Sequence, residues 1–408
     1  MIKRKRYLDQ INNFIDKPII KVLTGMRRSG KSTIMKLLID ELIQKGIANE
    51  NIVYINKESL RYDFIKDYQD LNFFVLKKLK NKTGKKYILI DEIQEIEKWE
   101  KVIVSFLADN VGDIIISGSN AHMLSSELAT LISGRYVEIP IYTLNFKEFL
   151  LFRKIKNDKD LEKELQLYIR YGGLPGIHNF KFRDETVFTY LNSILNTVLL
   201  KDVILKNSIR DANTLEKITQ YLMDNCGNIT TAKKISDYFK SQRVRISVDT
   251  VQNYIDFLKN AFLFYRVKRF DLKGKKYLEY GDKLYIGDIG LRNGFIGHKD
   301  SDISAVIENL VFLELIKRGY SVSIGNRNRK EIDFIAQKNK TKIYLQVCYL
   351  LGSEKTIQRE FGNLESIKDN YRKIVISFDK YFPSNQNGIE HLYIIDFLVN
   401  GLKSNGHR

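Results

Sequence analysis

A glycine-rich segment near the start constrains this chain more than any other feature. Residues 25–32 read GMRRSGKS, directly after the apolar run IIKVLT and directly before a helical pattern. The string satisfies G-x-x-x-x-G-K-[ST] in the strand–loop–helix context that a phosphate-binding loop requires. Gly25 and Gly30 let the backbone curl so that successive amide groups point at phosphate oxygens, and the following helix dipole favours the same anion. The segment predicts an α/β fold with a phosphate site at a sheet edge.

Individual residues of this loop have expected roles in binding ATP and Mg²⁺. Lys31 is expected to reach the β- and γ-phosphates, and Ser32 to place its hydroxyl on the magnesium ion. The predicted nucleotide-binding residues are Gly25, Met26, Arg27, Arg28, Ser29, Gly30, Lys31, Ser32 and Thr33.

Two acidic residues follow the apolar run YILI at 87–90. The run predicts a buried strand that carries Asp91 to its carboxyl end, where ligands gather in open α/β sheets. Asp91 is expected to hold magnesium, and Glu92 to polarise an attacking water as general base. The alternative is that two acids simply end a strand.

Polar residues after the next strands are further candidates. Ser119 and Asn120 end the run IIISGSN, so Asn120 is expected to sense the γ-phosphate; the alternative is an ordinary loop cap. Arg135 precedes the run YVEIPI and is expected to reach a neighbouring subunit's phosphate site, which would make the protein a homo-oligomer. Its alternative is a surface or ion-paired arginine.

The first 140 residues alternate strand and helix patterns, which is typical of a parallel sheet with helices on its faces. One strand–helix unit separates the two motifs, which favours a strand inserted between the phosphate-loop strand and the Asp91 strand. Five strands are predicted, at 19–24, 51–56, 87–92, 113–119 and 136–141.

These motifs resemble the AAA+ ATPases of a bacterial and archaeal group that carries a C-terminal domain of unknown function. The resemblance rests on GMRRSGKS, YILIDE, the strand ending SGSN, LISGRYVEIPIYTLNFKEF, YGGLPG at 171–176, ENLVFLELIKRG and EIDFIA. It implies a P-loop AAA+ core with a parallel five-stranded sheet over 1–145, a helical lid over 146–210, a winged-helix domain over 211–300 and a restriction-endonuclease-like domain over 301–408.

The order of elements independently favours the winged helix, because three short helices at 214–225, 231–241 and 247–260 precede a hairpin. The last of them would be the recognition helix. Basic residues around it predict phosphate contacts with nucleic acid, most simply DNA, whereas the alternative is a solvated basic face. They are Lys233, Lys234, Lys240, Arg243, Arg245, Lys259, Arg266, Lys268, Arg269, Lys273, Lys275 and Lys276.

The tail departs from the pattern of a metal-dependent nuclease. Glu308 and Asp333 are the expected acids, but the acid-x-lysine element reads Gln346-Val347-Cys348. A neutral amide is a poor magnesium ligand and a thiol cannot replace a cation, while Lys355 lies on a following helix. A degenerate domain is therefore predicted.

Composition adds limits on partners and compartment. The formal charge of +18 concentrates polyanions near the surface, although a lysine-rich composition alone would also produce it. Two cysteines, Cys226 and Cys348, exclude a disulfide framework and favour a reducing cytoplasm. Neither a membrane span nor a signal peptide is expected.

Three functions follow from these observations. The first is a magnesium-dependent ATPase that changes conformation on DNA. The second is an ATP-gated switch that binds protein partners, and the third is an ATP-controlled nuclease.

Overall fold

Residues 2–121, 134–155, 160–278, 281–328 and 330–402 are described by the computed structural model. They divide into two units. The first comprises the chain up to Thr143 together with Asn260–Phe262, and the second comprises Leu144–Lys259 and the chain from Leu263 onward.

The first unit is built on a parallel five-stranded sheet, as predicted. Its strands follow one another in space in the order β2-β3-β4-β1-β5, so β4 is the inserted strand between β1 and β3. The strands are β1 (Ile20–Thr24), β2 (Ile52–Asn56), β3 (Tyr87–Asp91), β4 (Asp113–Gly118) and β5 (Tyr136–Pro140).

Helices cover both faces of this sheet because successive strand residues point to opposite sides. Val22 belongs to the core beneath α3 (Tyr68–Leu79) and α4 (Trp99–Ala108). Its neighbour Leu23 belongs to the core beneath α1 (Lys5–Asn12) and α2 (Lys31–Gln44). The buried residues of α4, namely Trp99, Val102, Ile103 and Phe106, belong to the first of these cores.

The strand register brings the functional ends together. Asn56 pairs with Asp91, and Thr24 pairs with Gly118 on one side and Pro140 on the other. Parallel strands end at the same edge, so the residues that follow β1, β3 and β4 share one edge of the sheet.

The second unit begins with helices. They are α5 (Phe146–Arg153), α6 (Leu161–Tyr171) and α7 (Asp184–Thr197), the last continuing as a π-helical segment, Val198–Leu205. Helix α6 ends before Gly172, which has a φ of +73°. A Cβ at Gly172 would lie 2.1 Å from the Asp288 carboxylate, so only glycine fits.

The stretch Asp184–Leu205 is long and apolar enough to cross a membrane by length and composition alone. It was not expected from the sequence. Part of its surface is buried within the second unit, where α7 packs against α11 (Ile289–Ile296). Such burial is typical of a core helix, so the stretch is weak evidence for a membrane span.

The middle of the second unit holds three helices and a small antiparallel sheet. The helices are α8 (Ala212–Asp224), α9 (Ala232–Ser241) and α10 (Val248–Asn260). The sheet has the order β6-β10-β7, with β6 (Ile229–Thr230), β7 (Phe264–Val267) and β10 (Asp282–Ile286).

The remaining elements form a mixed sheet with the order β15-β16-β14-β13-β12-β11-β8-β9. Its strands β8 (Arg269–Asp271) and β9 (Lys276–Tyr277) come from the loop between β7 and β10, and β8 pairs in parallel with β11. This sheet therefore crosses the boundary expected at residue 300. Its other elements are α12 (Ile303–Lys317), β11 (Ser321–Arg327), β12 (Lys330–Lys338), β13 (Thr341–Val347), α13 (Glu354–Glu365), β14 (Arg372–Ser377), β15 (Asn385–Gln386), β16 (Ile389–Tyr393) and α14 (Ile394–Asn400).

Candidate active site

The phosphate-loop segment connects β1 to α2 at the carboxyl edge of the sheet. Gly25 has a φ of +142° and Gly30, the N-cap of α2, a φ of +106°. A Cβ at Gly25 would lie 2.2 Å from the carbonyl oxygen of Ile141. Both glycines therefore have the conformational role that the motif predicted.

Lys31 is buried beneath this loop. Its Nζ donates hydrogen bonds to the carbonyl oxygens of Gly25 at 2.9 Å and Met26 at 3.2 Å, and lies 3.7 Å from Oε1 of Glu92. The backbone of the phosphate loop thus holds the ammonium group beside Glu92, the acid that follows β3.

Asp91 is buried at the end of β3 among hydroxyl groups. Ser117 and Ser32 hydrogen-bond its carboxylate, and the Tyr54 hydroxyl lies 3.4 Å from Oδ2. Burial raises the pKa of Asp91, although the two serine hydroxyls and the Lys31 charge oppose that rise. The structure brings Asp91 and Ser32 together, as their expected role in holding magnesium requires.

Glu92 has an unusual backbone conformation, with a φ of +54°. Its amide donates to the Ser117 hydroxyl at 3.3 Å, and its carboxylate accepts a hydrogen bond from Gln94. Burial disfavours ionisation of this carboxyl, but the Lys31 charge and the Gln94 hydrogen bond outweigh it and lower the pKa of Glu92. The carboxylate is therefore ionised at neutral pH.

Ser119 and Asn120 lie directly after β4 and are buried. Ser119 hydrogen-bonds Glu92, so the polar end of β4 reaches the acid at the end of β3. Arg135, in contrast, is exposed and precedes β5, next to the start of β1. It lies at the edge of the sheet opposite the phosphate loop. Residues 122–133, which carry the first part of the LISGRYVEI string, lie outside the described residues.

The outer residues of the loop differ in exposure. Arg27 forms an ion pair with Glu58 at 2.7 Å, whereas Arg28 and Thr33 are exposed. Ser29 is fully buried, and its hydroxyl has no hydrogen-bond partner among the described residues.

Several supporting residues were missed by sequence reasoning. Arg4 is buried; its guanidinium donates to the carbonyl oxygen of Ser29 at 3.0 Å and lies 4.5 Å from the centre of the Tyr7 ring. Gln94 and Ser117 bind the two acids. No motif marks Arg4, because its partner lies 25 residues away. The alternating direction of successive side chains along β4, however, could have predicted that Ser117 lies beside Asp91.

The residues of this edge fit ATP and a magnesium ion. Magnesium prefers oxygen ligands, and the Asp91 carboxylate and Ser32 hydroxyl are in mutual contact. The loop also carries a buried cation, a helix N-terminus and an unsatisfied Ser29 hydroxyl, all suited to phosphate oxygens.

The tail residues of the nuclease pattern lie near one another. The amide of Asp333 donates to Gln346 Oε1 at 2.9 Å, and the amide of Val347 donates to Asp333 Oδ2 at 2.7 Å. Gln346 in turn donates to Glu360, an acid on α13 that the sequence did not single out. Burial raises the pKa of the Cys348 thiol to about 12, and Lys355 is exposed.

The predicted basic residues divide into two groups. Lys259 and Arg266 are partly buried, and each has its own carboxylate partner: Lys259 lies 2.8 Å from Asp256, and Arg266 lies 3.1 Å from Asp282. Arg269 is partly buried as well. The exposed group consists of Lys233, Lys234, Lys240, Arg243, Arg245, Lys268, Lys273, Lys275 and Lys276.

Family models match two parts of this chain, and two relatives match nearly all of it. Residues 17–150 match the family described as an AAA domain, and residues 162–332 match a Domain of unknown function (DUF8612). An uncharacterized protein of Haemophilus influenzae is 43% identical over 401 residues, which cover 98% of this chain and 99% of that protein. An uncharacterized protein of Methanocaldococcus jannaschii, MJ1544, is 31% identical over 394 residues, or 92% of this chain and 85% of that one.

A solved structure has the same fold. The Walker-type ATPase PabY2304 of Pyrococcus abyssi matches with a TM-score of 0.51 and 14% identity, over 72% of this chain and 96% of its own. The chain therefore belongs to the family of its Haemophilus and Methanocaldococcus relatives, and its residues 17–150 carry an AAA domain.

Proposed function

We propose that this protein binds ATP with magnesium, hydrolyses it, and uses the cycle to change conformation on DNA. The observation that carries the proposal is the convergence of Lys31, Asp91 and Glu92 at one sheet edge, with Glu92 Oε1 3.7 Å from Lys31 Nζ. A cation for phosphate, an acid for metal and an ionised base are the groups that phosphoanhydride hydrolysis requires.

Each residue has a distinct role in this reaction. The 25–30 backbone and Lys31 bind the phosphates, and Asp91 with Ser32 would hold the magnesium ion, which neutralises phosphate charge when bound. Glu92 accepts the proton of the attacking water, since its lowered pKa keeps it ionised at neutral pH. Ser119 orients that carboxylate, and Asn120 senses the γ-phosphate.

Arg135 completes the site of a neighbouring subunit in this proposal. Its exposure, and its place at the far edge of the sheet from its own phosphate loop, support action in trans. The test is the molar mass of the Glu92→Gln variant with and without ATP. We expect ATP-dependent oligomers that Arg135→Ala weakens; a protein that stays monomeric with ATP bound contradicts the trans role.

DNA is proposed to bind the three helices α8–α10 and their small sheet, a winged helix in this proposal. The support is the element order α8-β6-α9-α10-β7-β10, with β8 and β9 in the loop between the last two strands, and the exposed basic group around α9 and α10. Such residues give salt-dependent affinity that is largely independent of DNA sequence.

The experiment that tests the proposal is ATP turnover with and without duplex DNA, at low and high salt. We expect stimulation at low salt that is lost in the triple variant Lys240→Gln, Arg243→Gln, Arg245→Gln. A matched control replaces three exposed lysines of the first unit, Lys77, Lys78 and Lys80, and should keep the stimulation. Turnover that is indifferent to DNA at every salt concentration would overturn the DNA role.

An ATP-gated switch that binds a protein is the second candidate. Exposed apolar side chains of the first unit favour it, because Leu60, Phe64 and Phe73 are 90%, 55% and 68% exposed. This candidate predicts slow turnover without any nucleic-acid response. A nuclease is not proposed, since Gln346 and Cys348 replace the acid and the cation that cleavage needs; magnesium-dependent nicking abolished by Asp333→Ala would reverse that judgement.

A further inference from the structure

A buried lysine in the second unit faces a group of carboxylates away from the phosphate loop. Lys283 lies on β10, where it pairs in register with Val267 and Ile229 of the neighbouring strands. Its side chain is only 5% exposed. A lysine is almost never buried to this extent unless its charge is compensated.

Two glutamates from different elements compensate this charge directly. Lys283 Nζ lies 2.8 Å from Oε1 of Glu308 on α12 and 2.7 Å from Oε1 of Glu331 on β12. The Tyr285 hydroxyl donates a second hydrogen bond to Glu308. The ammonium thus joins the small antiparallel sheet to a helix and a strand that come later in the chain.

A third acid belongs to the same group. Asp333 follows Glu331 by two residues on β12, the spacing that places both side chains on one face of a strand. Burial and the nearby Glu308 charge raise the pKa of Asp333, and Lys283 opposes that rise. We call Glu308, Glu331 and Asp333 the acid cluster.

Like charges at this spacing repel one another unless a cation or a proton lies between them. In metal-binding proteins that cation is a divalent ion held by carboxylate oxygens. Here an ammonium group already lies against two of the three acids. Among the residues that the structure describes, no group of three or more histidine, cysteine, aspartate or glutamate side chains has a metal-holding arrangement.

We propose that Lys283 is the built-in counter-cation of the acid cluster and takes the place of a divalent metal ion. The second unit is then independent of metal at this position. Loss of the ammonium converts the cluster into a divalent-cation site. This inference does not depend on ATP hydrolysis or DNA binding.

The test is thermal unfolding of the full chain during titration with Mn²⁺, without nucleotide. Every protein carries Asp91→Asn, which removes the metal ligand of the phosphate-loop site. We expect no saturable response of the Asp91→Asn protein. Adding Lys283→Met should lower its melting temperature, and Mn²⁺ should then raise it again by roughly 3–6 °C in a saturable manner.

Two control variants distinguish the effect of losing the Lys283 charge from general destabilisation of the fold. Lys283→Arg keeps the cation and should show no Mn²⁺ response. Adding Glu308→Gln to Lys283→Met should abolish the response, because one metal ligand is lost. If the Lys283→Met protein does not fold, the titration uses Lys283→Gln, which removes the positive charge but keeps a hydrogen-bond donor and all three carboxylates.

Two results would overturn the proposal. One is a saturable Mn²⁺ response of the Asp91→Asn protein with Lys283 intact that Glu308→Gln removes, since the cluster would then already bind metal. The other is a destabilised but folded Lys283→Met protein, or the Lys283→Gln protein, that Mn²⁺ does not stabilise.

Discussion

The ammonium group of Lys31 lies 3.7 Å from the Glu92 carboxylate and 2.9 Å from the carbonyl oxygen of Gly25. One buried cation therefore contacts both a backbone carbonyl group of the phosphate loop and the carboxylate of the proposed general base. Phosphate oxygens entering the loop would compete for the same ammonium. Nucleotide binding would therefore change the electrostatic environment of Glu92.

Replacement of Lys31 by methionine should weaken ATP binding by roughly 10–100-fold, since a charge-assisted hydrogen bond to phosphate is lost. Titration with a fluorescent ATP analogue measures the effect. Lys36→Met, on the exposed side of the same helix, is the matched control and should bind as the unmodified protein does. Equal affinities for the two variants would contradict the role of Lys31.

Gly25→Ala should abolish nucleotide binding, because its Cβ would lie 2.2 Å from the Ile141 carbonyl oxygen and its φ of +142° disfavours any side chain. Gly46→Ala is the control for backbone strain alone. Gly46 has a φ of +90° but no atom within 4 Å of its added Cβ, so that variant should lose only about 1 kcal/mol of stability. Calorimetric titration with ATP distinguishes the two variants. Unchanged ATP binding by Gly25→Ala would contradict the requirement for glycine at this position of the phosphate loop.

Ser117→Ala should move the acid limb of the ATPase pH profile to higher pH. The Ser117 hydroxyl lowers the pKa of Asp91 against the rise caused by burial, so its removal raises that pKa further. Asp91 must be ionised to hold a cation, and activity then falls at a higher pH than before. Hydrolysis rates measured from pH 5 to pH 9 at saturating magnesium check the shift. An unchanged acid limb would mean that Asp91 ionisation does not govern the rate.

Lys21→Met should destabilise the first unit by about 3–5 kcal/mol, because Lys21 is fully buried and its partner Asp113 would be left as an unpaired buried charge. The exposed pair of Lys66 and Asp63 is the control, and its loss should hardly change the free energy of unfolding, because water already screens both charges. Urea unfolding measures both. A similar loss of unfolding free energy in the two variants would show that burial does not strengthen the contribution of the Lys21–Asp113 pair to stability.

Much of the first unit could be predicted from sequence because its signals are local. The buried strands are continuous apolar runs, and Gly25, Lys31 and Asp91 lie within short strings whose chemistry is set by neighbours in the chain. Helix α1 carried no comparable string, and its contact with the loop through Arg4 was not predicted.

The second unit was harder because its decisive contacts join distant segments. The helices at 212–260 and strands β7 and β10 follow from periodicity and turns. The pairing of β8 with β11, and the approach of Lys283 to Glu308 and Glu331, depend on tertiary packing between residues far apart in sequence. Periodicity shows which face of an element is buried, but not which element covers it.

The role of Glu92 is tested by comparing the ATP hydrolysis rate and the ATP affinity of the Glu92→Gln variant with those of the unmodified protein. An amide keeps the size of Glu92 but cannot accept the proton of water. We expect magnesium-dependent hydrolysis to fall by about 100-fold or more while ATP affinity stays within a few-fold. Hydrolysis that persists at the original rate in Glu92→Gln, with ATP bound as before, would contradict the claim that this site is a hydrolytic centre with Glu92 as its base.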